Sequence, residues 1–216
     1  MTVYVINPNS TAAVTAGIDR AVAPFRSADG PRIECVTLEE GPPGIQSQRD
    51  VDSVIAPLCR RIAALDAEAS AFVIACFSDP GLHSARETTR KPVLGIMESG
   101  LLTALTLGQR FGVIAILATS IPRHRRMINA MGIESRLANE RAVGLPVVEL
   151  ADESKTLGRM IETARALRDD GADSVVMGCA GMAQYRTRVE AAAGIPVVEP
   201  TQAAVAMALG RVRAGW

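Results

Sequence analysis

The sequence predicts an α/β protein of two pseudo-symmetric lobes, each a mainly parallel sheet flanked by helices, with the active site expected in the cleft between them. Three observations predict it. Short apolar, β-prone runs alternate with helical patterns along all 216 residues. Two of those runs end alike at a cysteine, in ASAFVIACFSDPG (residues 69–81) and ADSVVMGCAGMAQ (172–184). The two cysteines, Cys76 and Cys179, lie 103 residues apart, and the prolines that follow, Pro92 and Pro196, lie 104 apart. A period near half the chain implies two like units; a solenoid would need shorter and more numerous repeats.

In chain order the expected strands are 3–6, 33–38, 72–76, 93–96, 112–117, 147–150, 174–178 and 196–198. Each is a short run rich in Val, Ile or Leu, and the first and fifth end in polar exits, at Asn7 and at Thr119. Pro57 inside the helical pattern 51–65 calls for a kink or a late start. The clearest helix is 154–170, with Ser154 as its expected N-cap, an apolar stripe of Leu157, Met160, Ile161, Ala164 and Leu167, and Gly171 as its stop. A C-terminal helix over 202–212 is expected to pack back on the first lobe. The lobes are then 1–97 with 201–216, and 98–200, joined directly near 96–100 because no Ser/Gly linker separates them.

Composition narrows the function. Hydrophobic residues make up 48% and aromatic ones 3%, so Ala, Val, Leu and Ile must fill the interior. The 23 basic and 23 acidic residues balance, which argues against a general nucleic-acid or membrane partner. The densest basic run, Arg123-His124-Arg125-Arg126, reads as a solvated helix start. No stretch approaches the roughly 18 apolar residues of a membrane span, and no signal peptide is visible, so the cytoplasm is the expected compartment. The four cysteines are accordingly read as thiols.

Several chemistries lack their residues. Neither phosphate-cradling glycine fingerprint is present, nor a C-x-x-C, nor a G-x-S-x-G elbow. His83 and His124 have no metal-ligand spacing, and the two lysines, Lys91 and Lys155, suit no Schiff base. What remains is cofactor-free acid–base or nucleophilic chemistry by thiols. Cys35 and Cys59 read as small core residues. Cys76 and Cys179 stand where the chain leaves a strand's carboxyl end, beside backbone N–H groups that favour a thiolate. Asp79 carries two readings, as a cap for the helix after Pro80 or as a group that tunes the thiol. Glu98 and Glu199 follow equivalent strands, and Glu98 has the better claim to the site. A Cys76–His83 pair is disfavoured, since nothing matches it after Cys179.

VINPNST at 5–11, ACFSDPGL at 75–82, GIMESG at 95–100 and GCAGM at 178–182 resemble hydantoin racemases, which include allantoin racemases, within the aspartate/glutamate racemase superfamily. The resemblance covers nearly the whole chain. It implies a cofactor-independent racemase of a small hydantoin or ureide, with Cys76 and Cys179 as base and acid on opposite faces of C5. It also implies substrate contacts from Asn7 and from backbone near Ser78, Asp79, Ala180 and Gly181. By their positions Thr119, at a strand exit like that of Asn7, and Glu98, opening a helix, are candidates to hold the ureide. With the apolar composition, it suggests a homo-oligomer, a tetramer or hexamer. Ser78 departs from the glycine often found there. The aspartate and glutamate branch carries Asn-Thr after its first cysteine, and arylmalonate decarboxylases lack that cysteine. Other readings are a decarboxylase or maleate-isomerase-like enzyme on the same scaffold, or a small-molecule binding protein with inert thiols.

Overall fold

The computed structural model describes the backbone of residues 1–216 and every side chain but that of Val148. The first half runs β1 (Thr2–Asn7), α1 (Ala12–Val22), β2 (Arg32–Thr37), α2 (Gln48–Ser53), α3 (Ile55–Leu65), β3 (Ala69–Ile74), α4 (Leu82–Thr88), β4 (Val93–Gly95) and α5 (Ile96–Leu105). The second runs β5 (Phe111–Ala115), α6 (Ile121–Ala130), β6 (Leu137–Ala142), α7 (Glu153–Asp169), β7 (Ser174–Met177), α8 (Arg186–Ala193), β8 (Val197–Val198) and α9 (Pro200–Ala214). Two compact units result, Met1–Ser99 with Thr201–Trp216, and Gly100–Pro200. Each holds a four-stranded, all-parallel sheet of like order, β2-β1-β3-β4 in one and β6-β5-β7-β8 in the other. Among the described residues no helix is long and apolar enough to cross a membrane.

In the first unit β1 is buried at every position, which is why it reads as a continuous apolar run with little alternation. Its Tyr4 and Ile6 pack with Phe72 and Ile74 of β3 and with Leu58 and Ile62 of α3. Tyr4 and Phe72 stack with ring centroids 6.1 Å apart. Leu58 and Ile62 are one turn apart, so a single stripe of α3 serves this core. The chain breaks at Val54 between α2 and α3, and Pro57 falls in the first turn of α3, where a missing N–H is harmless. A capping box of Ser47 and Asp50 starts α2.

The second unit departs from expectation in three places. Residues 147–150 are no strand: after Pro146 they wind into a 3-10 turn, Val147–Glu149. The strand there is β6, which the sequence hides because LANERA has no clean alternation and pairs on one side only, with β5. Helix α7 is capped by Asp152, whose carboxylate accepts from the Ser154 N–H at 3.1 Å, and its buried stripe is Thr156, Met160, Ala164 and Leu167. The basic run is not all solvated. Arg123 and His124 are buried at the start of α6, and His124 Nδ1 lies 2.5 Å from Glu140 Oε1. The periodicity of α6 did not reveal this because its partner sits on the unexpected strand.

Phe72→Ala should lower unfolding free energy by about 3–5 kcal/mol, since Phe72 is fully buried in the first core. Urea unfolding followed by circular dichroism measures it; a loss below about 1 kcal/mol would mean that the packing around β3 is looser than described.

Candidate active site

Both cysteines are placed by the same backbone device. The β1–β3 ladder extends one residue past the strand, where Ala75 N–H donates to the Ile6 carbonyl at 2.8 Å. The β5–β7 ladder does likewise, with Gly178 N–H on the Ile114 carbonyl at 2.8 Å. Position 178 must be glycine, since a Cβ there would collide with that carbonyl oxygen. Cys76 and Cys179 are the next residues. Each then closes a turn through its own carbonyl, which accepts from Asp79 N–H at 2.9 Å or from Met182 N–H at 3.1 Å. The two thiols thus occupy the same step of the two repeats, at the carboxyl ends of inner strands where ligands gather in open parallel sheets.

Around the thiols the units differ. Both cysteines are half-buried, and Cys76 packs against the first core. Asp79, three residues on, takes the left-handed conformation (φ 41°) that Asp tolerates better than most residues. Its carboxylate is buried and accepts from Met97 N–H at 2.9 Å and Glu98 N–H at 2.8 Å. Asp79 therefore caps α5, not the helix after Pro80, whose N-cap position is Gly81. The carboxyl fits because residue 95 is glycine: a Cβ there would overlap it. Burial outweighs the two N–H bonds and the nearby Arg86, and pushes the Asp79 carboxyl up to about 7. Arg86 also clamps Glu98 by two bonds, at 3.2 and 2.5 Å.

Cys179 begins a 3-10 turn, Ala180–Tyr185, and its sulfur accepts from Gly181 N–H at 3.4 Å. That bond favours a thiolate, as the sequence implies, yet the net shift is opposite. Burial, joined by the carboxylate of Glu199, pushes this thiol up to about 11. The N–H groups at the strand exit were legible in the sequence; the desolvation that overrides them was not. Tyr185 holds the turn in place by donating to the Leu150 carbonyl at 2.7 Å.

The remaining expected residues are distributed as follows. The Asn7 side chain is buried; its amide donates to Asn9 Oδ1 and Thr15 Oγ1, both at 3.0 Å, and so ties the β1 exit to α1. Thr119 is exposed in the 3-10 turn after β5, Ser78 is half-buried and Ala180 buried. Beside Thr119 lies Ser120, a buried hydroxyl without a hydrogen-bond partner. Asn9, Thr15, Arg86 and Tyr185 were not singled out in the sequence; Asn9 alone lay inside a quoted motif, and the others act over distances that no local pattern reports. His83 is exposed on α4. Cys35 and Cys59 are half-buried, and burial beside Asp19 pushes the Cys35 thiol up to about 12. Among the described residues no cluster of three or more His, Cys, Asp or Glu is placed to hold a metal ion.

Two units, each a parallel sheet of the same strand order with a thiol one step past the equivalent ladder, define a duplicated α/β protein with one such cysteine in each repeat. The pattern of the Asp/Glu/Hydantoin racemase family matches residues 3–208. A hydantoin racemase of Rhizobium meliloti is 35% identical over 100% of this chain and 90% of its own. A hydantoin racemase of a Pseudomonas species is 36% identical over 96% and 84%. The structure of an allantoin racemase from Klebsiella pneumoniae superposes with a TM-score of 0.91 at 32% identity, covering 100% of this chain and 89% of that one. The chain belongs to the Asp/Glu/Hydantoin racemase family and is an enzyme of the racemase type.

The Asp79 carboxyl sets a pH dependence with a definite sign. Its folded value of about 7 exceeds the ordinary value of about 4, so the folded protein binds the proton more tightly. The contribution to stability is complete below about pH 4 and is lost as pH rises through about 7. Urea midpoints of wild type and Asp79→Asn, compared from pH 4 to 8, should show the wild type losing ground steadily over that window. A wild-type advantage that grows with pH would mean that the carboxylate form is the one the fold prefers.

Proposed function

We propose that the enzyme racemises hydantoins at C5, taking 5-substituted hydantoins or allantoin, by proton transfer between Cys76 and Cys179 without a cofactor. The observation that supports this most is the common rung, which sets a thiol at the same step of each repeat. Racemisation requires a base on one face of the carbon and an acid on the other, and two like thiols supply both. One cysteine, as thiolate, takes the C5 proton. The electron pair of the C–H bond moves into the adjacent carbonyl to form an enolate. The second cysteine, as thiol, returns a proton to C5 from the opposite face and is left as thiolate. The reverse passage exchanges the roles, so the titrations of the two thiols are coupled.

Gly181 N–H, on the Cys179 sulfur at 3.4 Å, would stabilise that thiolate whenever Cys179 is the base. Backbone N–H groups of the turns after Cys76 and Cys179 are the donors assigned to the enolate oxygen. Thr119 and Glu98 are the side chains assigned to the ureide, with Arg86 fixing the Glu98 carboxylate. Asn7 acts through the loop that it anchors. A single-cysteine reaction such as decarboxylation would leave the second rung without a purpose.

The decay of circular dichroism of an optically pure 5-substituted hydantoin, or of allantoin, tests the activity directly. Cys76→Ser and Cys179→Ser should each lower racemisation on the order of 10³-fold or more, about 4 kcal/mol at 1.36 kcal/mol per tenfold. In deuterium oxide each variant should still exchange the C5 proton of one enantiomer, with opposite choices in the two. Near-wild-type racemisation by either variant would rule out the two-base mechanism.

A further inference from the structure

Asp79 ends the turn that Cys76 begins, and every hydrogen-bonding group it carries is used. Its N–H donates to the Cys76 carbonyl at 2.9 Å, and its carbonyl accepts from Leu82 N–H at 3.2 Å. The carboxylate oxygens are divided, Oδ1 on Met97 N–H at 2.9 Å and Oδ2 on Glu98 N–H at 2.8 Å, in the first turn of α5. A side chain so tied, and 3% exposed, is a strut between the turn that carries Cys76 and the helix start that carries Glu98. Arg86 holds Glu98 from its other end: Nη2 lies 2.5 Å from Glu98 Oε2, and Nε donates to the Val93 carbonyl at 3.1 Å. The left-handed backbone of Asp79 (φ 41°) is one that a residue other than glycine keeps only where its surroundings hold it.

The second repeat is built differently. At the position of Asp79 stands Met182, whose N–H closes the same turn on the Cys179 carbonyl but whose side chain bears no carboxylate. The place that admits the carboxyl differs too. In the first repeat Ile74 pairs with Gly95, and a Cβ on Gly95 would lie 2.2–2.5 Å from the atoms of the Asp79 carboxyl. In the second, Val176 pairs with Val198, so the next step of that register puts Glu199, with its side chain, where Gly95 stands. We infer that Asp79 is a positioning residue for Cys76 alone: its carboxylate fixes the thiol-bearing turn against the start of α5, so that Cys76 and Glu98 keep one relation to each other. This rests on the two-thiol reading, in which Cys76 serves one face of C5, and adds what holds that cysteine in place.

Asp79→Asn isolates the strut. Asparagine tolerates the left-handed backbone and matches aspartate in size, but its amide nitrogen would meet one of the two N–H groups, donor against donor. Alkylation needs no turnover, so it tests the inference apart from the racemase reading. Iodoacetamide labelling is followed by peptide mass spectrometry at pH 8, above the Asp79 value of about 7, so that the carboxylate is formed. Cys76 should react faster in Asp79→Asn than in wild type, and Cys179 at the wild-type rate. Asp79→Gly, which suits the backbone and removes the strut, should do the same and decides the matter if the asparagine variant does not fold. Exchange in deuterium oxide then reads the reaction. Added to Cys179→Ser, where Cys76 works alone, Asp79→Asn should lower C5 exchange on the order of 10²-fold, the scale of a misplacement of about 1 Å. Added to Cys76→Ser, it should cost far less. Unchanged Cys76 labelling overturns the inference. So does faster labelling of both thiols together, or an equal loss of exchange in both backgrounds, either of which would mean general loosening. If the single cysteine variants racemise like wild type, the two-base reading falls, and the labelling still decides whether Asp79 holds Cys76.

Discussion

Two hydrogen bonds carry the arrangement on which the rest depends: Ala75 to the Ile6 carbonyl, and Gly178 to that of Ile114. Each is the last rung of a parallel ladder between strands buried on both sides, where an unmade backbone bond costs about 1–3 kcal/mol. The rung cannot slip by one residue without turning every side chain of its strand to the other face. The cysteine that follows is accordingly set by the register of the whole sheet, not by a loop.

At Cys179 three effects compete over the proton. Burial favours the neutral form, backbone N–H groups at the turn favour the thiolate, and buried carboxyls oppose it. At Cys179 burial wins, against the single long bond from Gly181. At Asp79 burial also wins, though against two well-formed N–H bonds. At both groups desolvation outweighs the N–H bonds that favour the charged form.

The two repeats show what a duplicated scaffold must keep and what it can trade. Strand order, the last rung ahead of the cysteine and the turn closed by the cysteine carbonyl are common to both. The carboxyl near the strand end is supplied by different residues, and the exchange is steric as much as electrostatic. Asp79 needs a glycine at 95, whereas Glu199 occupies the matching position itself and leaves Met182 to fill the turn.

The duplication, the alternation of strand and helix, and both cysteines were legible in the sequence, because each is a local pattern of apolar runs ending at a recognisable residue. Edge strand β6 was not, since LANERA has no clean alternation, and the apolar 147–150 wind into a 3-10 turn after Pro146. The cap on α5 was hidden for a related reason: Asp79 reaches Met97 and Glu98 across the fold, and the local rule pointed to the nearer helix. By itself the sequence determined where the thiols stand, because strand ends are written in neighbouring residues. Only the tertiary structure decided how Cys179 and Asp79 hold their protons, because desolvation and the N–H groups that Asp79 reaches depend on residues brought close by folding alone.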